Sequence, residues 1–224
     1  MAEFDRFSDR YEQILDQSVS LSGEDSHYFA EYKAGYLARL VGKNFAGKFL
    51  DFGCGVGLLG NYLMRYVPVA TIHGYDISEA SIERINDELK ARGRFTHNFF
   101  DLDGDYDIIV IANVMHHIPP DERQETINKV RECLAPAGRL VVFEHNPANP
   151  LTRWVVERCA FDKDAILLTP RETEKYMLQT GLLPKRRDFI VFFPKILASL
   201  RSFEPLLAWC PLGAQYTVVG ENRG

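Results

Sequence analysis

A chain of 224 residues with a formal net charge of −5, 46% hydrophobic and 25% charged residues has an ordinary globular composition and fits one α/β domain with additions. Its acidic balance argues against a dedicated nucleic-acid binder. Four scattered cysteines with no CxxC or Cys/His cluster indicate free thiols, with neither a disulfide framework nor a zinc site.

The first residues, MAEFDRFSDRYEQ, are charged from the third position, and no long uncharged apolar run follows. No signal peptide or membrane span is expected, and the expected location is cytoplasmic. Phe4, Phe7, Tyr11, Ile14 and Leu15 recur at helical spacing. After a Ser/Gly/Asp cluster, Tyr28, Phe29, Tyr32, Tyr36, Leu37, Leu40 and Val41 define an amphipathic helix closed by Gly42 to Gly47. The chain then alternates. Lys48–Phe52 reads as a strand, 58–67 as a helix, 70–75 as a strand and 79–91 as a helix with Ser78 as N-cap. A short strand over 94–100 follows, then 106–113 with the apolar run Ile108 to Ile111, typical of a central parallel strand. Residues 121–134 read as a helix after Pro119-Pro120. Pro136-Ala-Gly138 is a turn, 139–143 a strand and 173–180 a helix. Two strand-like runs, 188–193 and 215–220, close the chain around an apolar, mostly helical segment.

This alternation predicts a Rossmann-like, doubly wound α/β sheet. It is mostly parallel, with an antiparallel C-terminal edge and helices on both faces. The chain divides as 1–45, a helical lid; 46–145, a cofactor-binding core; and 146–224, acceptor-side elements and closing strands. Chemistry in such a sheet sits beyond the carboxyl ends of the strands. The segments to watch are therefore Asp51–Gly57, Asp76, Asp101, Asn113 to His117 and Glu144 to Asn149.

The turn Asp51-Phe-Gly53-Cys-Gly55-Val-Gly57 carries most information. Glycine there permits φ > 0 and close approach of a ligand. Gly55-Val-Gly57-Leu-Leu-Gly60 satisfies GxGxxG with Asp76 downstream, which suits a nicotinamide or flavin dinucleotide. Asp51 points elsewhere. A carboxylate before the turn repels a pyrophosphate and suits a ligand bearing an ammonium group.

The arrangement Asp51-Phe-Gly53-Cys-Gly55-Val-Gly57 resembles the first motif of the class I S-adenosylmethionine-dependent methyltransferases. In that family the acid and glycine loop receive the methionine part of the cofactor, which implies this role for Asp51, Gly53, Gly55 and Gly57. His73-Gly-Tyr-Asp76-Ile77-Ser78 is similar to the second-strand motif, whose acid grips the ribose hydroxyls; Ile77 is its neighbour at the cofactor. Phe100-Asp101-Leu102 resembles the adenine-contacting element in a compressed form, with Asp101 chosen over Asp103. Asn113-Val-Met-His116-His117-Ile-Pro119 resembles the fourth-strand motif, and Leu134-Ala-Pro-Ala-Gly138 the turn into strand five. The resemblance covers residues 45–145. It implies S-adenosylmethionine as cofactor and S-adenosylhomocysteine as product, with Tyr11 in the N-terminal lid as a further cofactor contact; no metal is expected, because no Cys/His cluster appears.

On the acceptor side, His116, Glu144 and His145 are the candidate catalytic groups. His117 has equal claim to a scaffold role. Asn146, Asn149 and Arg153 in the stiff loop Glu144-His-Asn-Pro-Ala-Asn-Pro-Leu-Thr-Arg153 are candidate acceptor ligands. The competing reading makes the Asn-Pro steps helix-entry turns and pairs Arg153 with Glu157. Lys185-Arg-Arg187 before an apolar stretch suggests a peripheral membrane contact, against a packed strand pair as the alternative. The expected function is methyl transfer to a small-molecule acceptor, at oxygen. An NAD(P)-dependent oxidoreductase and a non-catalytic S-adenosylmethionine-binding protein are the alternatives.

Overall fold

The computed structural model describes residues 23–159, 162 and 164–223. Tyr11 lies outside them. Seven strands form one sheet: β1 (Lys48–Phe52), β2 (Thr71–Tyr75), β3 (Phe95–Thr96), β4 (Tyr106–Ala112), β5 (Leu134–His145), β6 (Leu182–Ile190) and β7 (Gln215–Asn222). Their order across the sheet is β3-β2-β1-β4-β5-β7-β6. The first five pair in parallel; β7 lies antiparallel to both β5 and β6. The order reverses between β1 and β4, so the strand ends open a crevice there.

The helices are α1 (Ser26–Val41), α2 (Leu58–Tyr66), α3 (Glu79–Glu83), α4 (Asp87–Lys90), α5 (Arg123–Glu132), α6 (Pro150–Val156) and α7 (Pro170–Gln179). Local chemistry fixes their ends. Asp25 caps α1 by accepting the Tyr28 N–H, and Gly42 at φ 87° stops it. Thr169 and Glu172 form a reciprocal capping box on α7 behind Pro170. The sheet buries apolar side chains on both faces. Phe49, Ile108, Val110, Val141 and Phe143 pack toward the side of α1 and α2. Leu50, Ile109, Ile111, Leu140 and Val142 pack on the opposite side, with Ile127 and Val130 of α5 and Met177 of α7.

Four sequence expectations change. Pro136-Ala-Gly138, read as a turn before the fifth strand, lies inside β5, where Ala137 at φ 62° makes the strand irregular. The helix over 79–91 is broken, because Asn86 turns its side chain onto the Leu89 N–H and starts a second helix. The third strand shrinks to Phe95–Thr96, and a 3-10 turn, Phe99–Asp101, takes the rest. The sixth strand runs earlier, from Leu182. Pro184, which has no N–H, sits where the pairing slips, and Val191 at φ 60° ends the extended run. Among the described residues, no helix is long and apolar enough to cross a membrane.

Candidate functional site

β1 delivers Asp51 to the strand end, and the glycine turn folds back against β2. The N–H groups of Gly53 and Cys54 donate to the Tyr75 carbonyl at 2.7 and 3.0 Å. Gly53 holds φ 83°, and a Cβ there would lie 2.3 Å from Val114. Only glycine meets both demands. Gly57, also at positive φ, starts α2. β2 ends at Asp76, whose carboxylate accepts the Gly55 N–H (2.8 Å) and the Ser78 N–H (2.9 Å). Two carboxylates thus flank the turn where a dinucleotide would place its pyrophosphate.

The turn forms one wall of a cleft of about 500 Å³ at the strand ends. Lys33 of α1 enters from the side and is almost completely buried. Burial pulls its ammonium down to about 8, against the attraction of Glu144 and Asp51. Burial, then the charge of Asp76, pushes the Asp51 carboxyl up to about 7, while Lys33 opposes the rise. Asn113 and Gln215 also line the cleft. Their side-chain oxygens are buried and have no hydrogen-bond partner among the described residues. Such acceptors cost free energy until a donor arrives.

The far wall is a polar cluster. Glu144, wholly buried on β5, accepts the Met115 N–H at 2.8 Å and bonds His116 Nδ1 at 2.6 Å through its other oxygen. His116 Nε2 lies 3.3 Å from Asp162 Oδ1, and His117 Nε2 lies 3.5 Å from the same atom. Burial alone would lower His116, but Glu144 and Asp162 outweigh it and hold the imidazole at about 9. Burial and the charge on His116 depress His117 and His145, each to about 4. His145 stays neutral, with Asn113 Nδ2 at 3.3 Å from its Nε2.

Of the sequence candidates, Asp51, Gly53, Gly55, Asp76, Ile77, Asn113, His116 and His145 line this cleft. Several do not. Gly57 is buried beneath the turn, and Glu144 stands behind His116. Asp101 is exposed, with its carboxylate held by Asn98 and Thr96, and the neighbouring Leu102 packs against the core. Asn146 is buried and donates to the carbonyls of Pro211 and Gly213. Asn149 caps α6 by accepting the Leu151 and Thr152 N–H groups, as the helix-entry alternative required. Arg153 borders a separate hollow with Pro147 and Glu157. Lys33, Gln215 and Asp162 were not anticipated. Lys33 had a signal: Phe29, Ala30, Tyr36 and Leu37 surround it at i±3 and i±4, on the apolar face of its helix.

A doubly wound sheet with an acid-flanked glycine turn at its switch point is the arrangement of an α/β protein suited to a nucleotide-like cofactor that carries an ammonium group. A methyltransferase-domain family model matches residues 50–140. An uncharacterized methyltransferase of Schizosaccharomyces pombe is 31% identical over 110 residues, 42% of this chain and 37% of that protein. One of Bacillus mycoides is 30% identical over 145 residues, 62% of this chain and 66% of its own length. The matched region thus spans less than two thirds of these relatives. Magnesium protoporphyrin IX methyltransferase from Synechocystis, solved with S-adenosylhomocysteine, superposes with a TM-score of 0.68 at 16% identity, covering 97% of each chain. A putative methyltransferase of Haloferax volcanii, solved with the Trm112 activator, gives 0.69 at 16% identity over 100% and 99% of the two chains. Sequence and fold together support a class I S-adenosylmethionine-dependent methyltransferase.

The cleft fits that cofactor. Asp51 with the orphaned oxygens of Asn113 and Gln215 matches the ammonium, and Lys33 matches the carboxylate of its methionine end. Asp76, at the turn after β2, lines the same cleft beside the glycine turn.

Proposed function

We propose that this chain transfers the methyl group of S-adenosylmethionine to an oxygen of a small-molecule acceptor. The cofactor supplies an electrophilic methyl on a sulfonium, so alignment provides much of the rate. Asp51, Asn113, Gln215 and Lys33 bind the methionine end and Asp76 the ribose. Buried Asp51 at the glycine turn, with the partnerless acceptors Asn113 Oδ1 and Gln215 Oε1 in the same cleft, carries this reading, because this set suits an ammonium and repels the pyrophosphate that a nicotinamide dinucleotide would place there.

His116 and His145 face the acceptor hydroxyl across the cleft. His145, neutral at neutral pH like His117, is the proposed proton acceptor, while His116 already carries a charge. Glu144 acts as a positioning residue that fixes the His116 ring. The reading includes a peripheral membrane contact, with a changed basis. Lys185, Arg186 and Arg187 are paired with Glu221, Asp188 and Glu174. The candidate surface is instead the 3-10 segment Lys195–Leu207 and its continuation, where Ile196, Phe203, Leu206 and Trp209 are exposed.

Calorimetry with S-adenosylmethionine, S-adenosylhomocysteine, NAD and NADP tests the cofactor assignment. Binding of the first two alone is expected; nicotinamide binding without adenosylhomocysteine binding overturns it. Radiolabelled methyl transfer into the small-molecule fraction of an extract tests the acceptor class. Label appearing only in macromolecules would overturn that part, and cofactor binding without transfer to any pool would favour a non-catalytic binder.

A further inference from the structure

The His116–His117–Asp162 cluster holds more order than the proposed transfer requires. His116, His117 and Asp162 each offer one potential ligand atom, and the three atoms lie within 4.8 Å of one another. In a tetrahedral site with bonds of about 2.0–2.1 Å, ligand atoms stand about 3.3–3.4 Å apart. The two edges that meet at Asp162 Oδ1 measure 3.3 and 3.5 Å. The two rings are adjacent, with centroids 4.1 Å apart.

The surroundings match what a metal-bound histidine needs. An imidazole that binds a metal through one nitrogen is oriented by a carboxylate or carbonyl on the other. Glu144 Oε2 holds His116 Nδ1 at 2.6 Å, which leaves Nε2 directed at Asp162. Glu144 is itself fixed by the Met115 N–H. All three candidate ligands line the cleft, so a fourth position opens toward the space for the acceptor. Three protein ligands with one open position is the pattern of catalytic rather than structural zinc.

We propose that His116, His117 and Asp162 bind one divalent transition-metal ion of the zinc type, with its open coordination position in the methyl-transfer cleft. Binding of the ion stands on this geometry alone; its use in catalysis rests on the function proposed above. In that use, the acceptor hydroxyl occupies the fourth position and loses its proton to His145 across the cleft. The oxygen then bonds to the methyl carbon as the carbon–sulfur bond breaks, with the electron pair staying on sulfur.

The test uses the full chain, stripped with a chelator and titrated with zinc alone or cobalt(II) alone. One ion per chain is expected, and the cobalt form should show the visible absorption of a four-coordinate site. His117→Gln and Asp162→Asn should each weaken metal affinity at least tenfold, and Glu144→Gln about tenfold to 100-fold through the second shell. S-adenosylhomocysteine affinity, measured on the same stripped samples, should remain in all three variants and reports that they are folded. No stoichiometric binding, or affinity unchanged in both His117→Gln and Asp162→Asn, overturns the metal site. Loss of adenosylhomocysteine binding by the stripped wild-type chain overturns the methyltransferase reading instead, so the two failures are told apart.

Discussion

Replacing Asp51 with asparagine should make the ligand-free protein more stable and the cofactor complex weaker. The folded protein holds this carboxyl at about 7, against an ordinary 3.8. Between these values the native state keeps a proton that the unfolded chain releases. Stability therefore falls as pH rises through that window, and the full cost persists above it. At about 1.36 kcal/mol per pH unit, the cost has a ceiling on the order of 4 kcal/mol. Asp51→Asn removes it but leaves Lys33 with one carboxylate fewer nearby, so a net gain of about 1–2 kcal/mol is expected at pH 8. For a chain of this size that is a rise of about 2–8 °C in Tm. The gain should shrink toward zero as pH approaches about 4. Loss of a charge-assisted hydrogen bond to the cofactor ammonium costs about 1.5–3 kcal/mol, or about 10- to 150-fold in Kd. Thermal unfolding across pH and calorimetry with S-adenosylhomocysteine read the two effects. A variant that binds the product as tightly as wild type, or that is less stable than wild type at pH 8, would refute the reasoning.

Lys33→Met removes an ammonium whose pKa falls from 10.5 to about 8 on folding. Its stabilisation should be full below pH 8 and fade by about pH 10, because the native lysine gives up its proton earlier than the unfolded one; adenosylhomocysteine should bind about tenfold more weakly in calorimetry. Gly53→Ala meets both positive φ and Val114, so urea denaturation should show a loss of about 2–4 kcal/mol. Asn149→Ala should cost about 1 kcal/mol for a lost N-cap and leave cofactor affinity unchanged, whereas an acceptor ligand at this position would raise the acceptor KM with stability intact. Co-sedimentation with liposomes should survive alanine at Lys185, Arg186 and Arg187, whose charges are already paired. It should fail when Ile196 and Leu206 become glutamate.

The cofactor side was legible because its information is local. Asp51 sits at the end of β1, the glycines and Asp76 follow their strands directly, and the strand order of a doubly wound sheet brings them together without help from distant segments. The acceptor side is assembled from afar. Asp162 joins His116 from a loop beyond α6, and Gln215 arrives on β7. No spacing rule links these residues. Glu144 was correctly assigned to the end of β5, but residues alternate across a strand. Its side chain turns under the loop of Met115 and His116, and His145 lines the cleft. Asn146, Asn149 and Arg153 looked like ligands because a polar loop reads the same whether its side chains serve a guest or the backbone. Here Asn146 and Asn149 tie down the loop around Gly213 and the start of α6. The broken helix after Ser78 was beyond periodicity, since Asn86 re-caps the chain within an otherwise helical pattern.

The position of β7 sets the order in which this protein can be made. It pairs with β5 on one side and β6 on the other, yet it is translated after both. While the chain emerges, β5 presents Leu140 to Phe143 along an unpaired edge through the synthesis of α6, α7 and β6. The early strands can assemble at once, but β6 has no seat until its later neighbour appears. An exposed apolar edge of this kind invites pairing with other chains. Newly made protein should therefore depend on chaperone capacity during that interval, and the last strand to appear also brings Gln215, so the cofactor pocket is completed in the same step that closes the sheet.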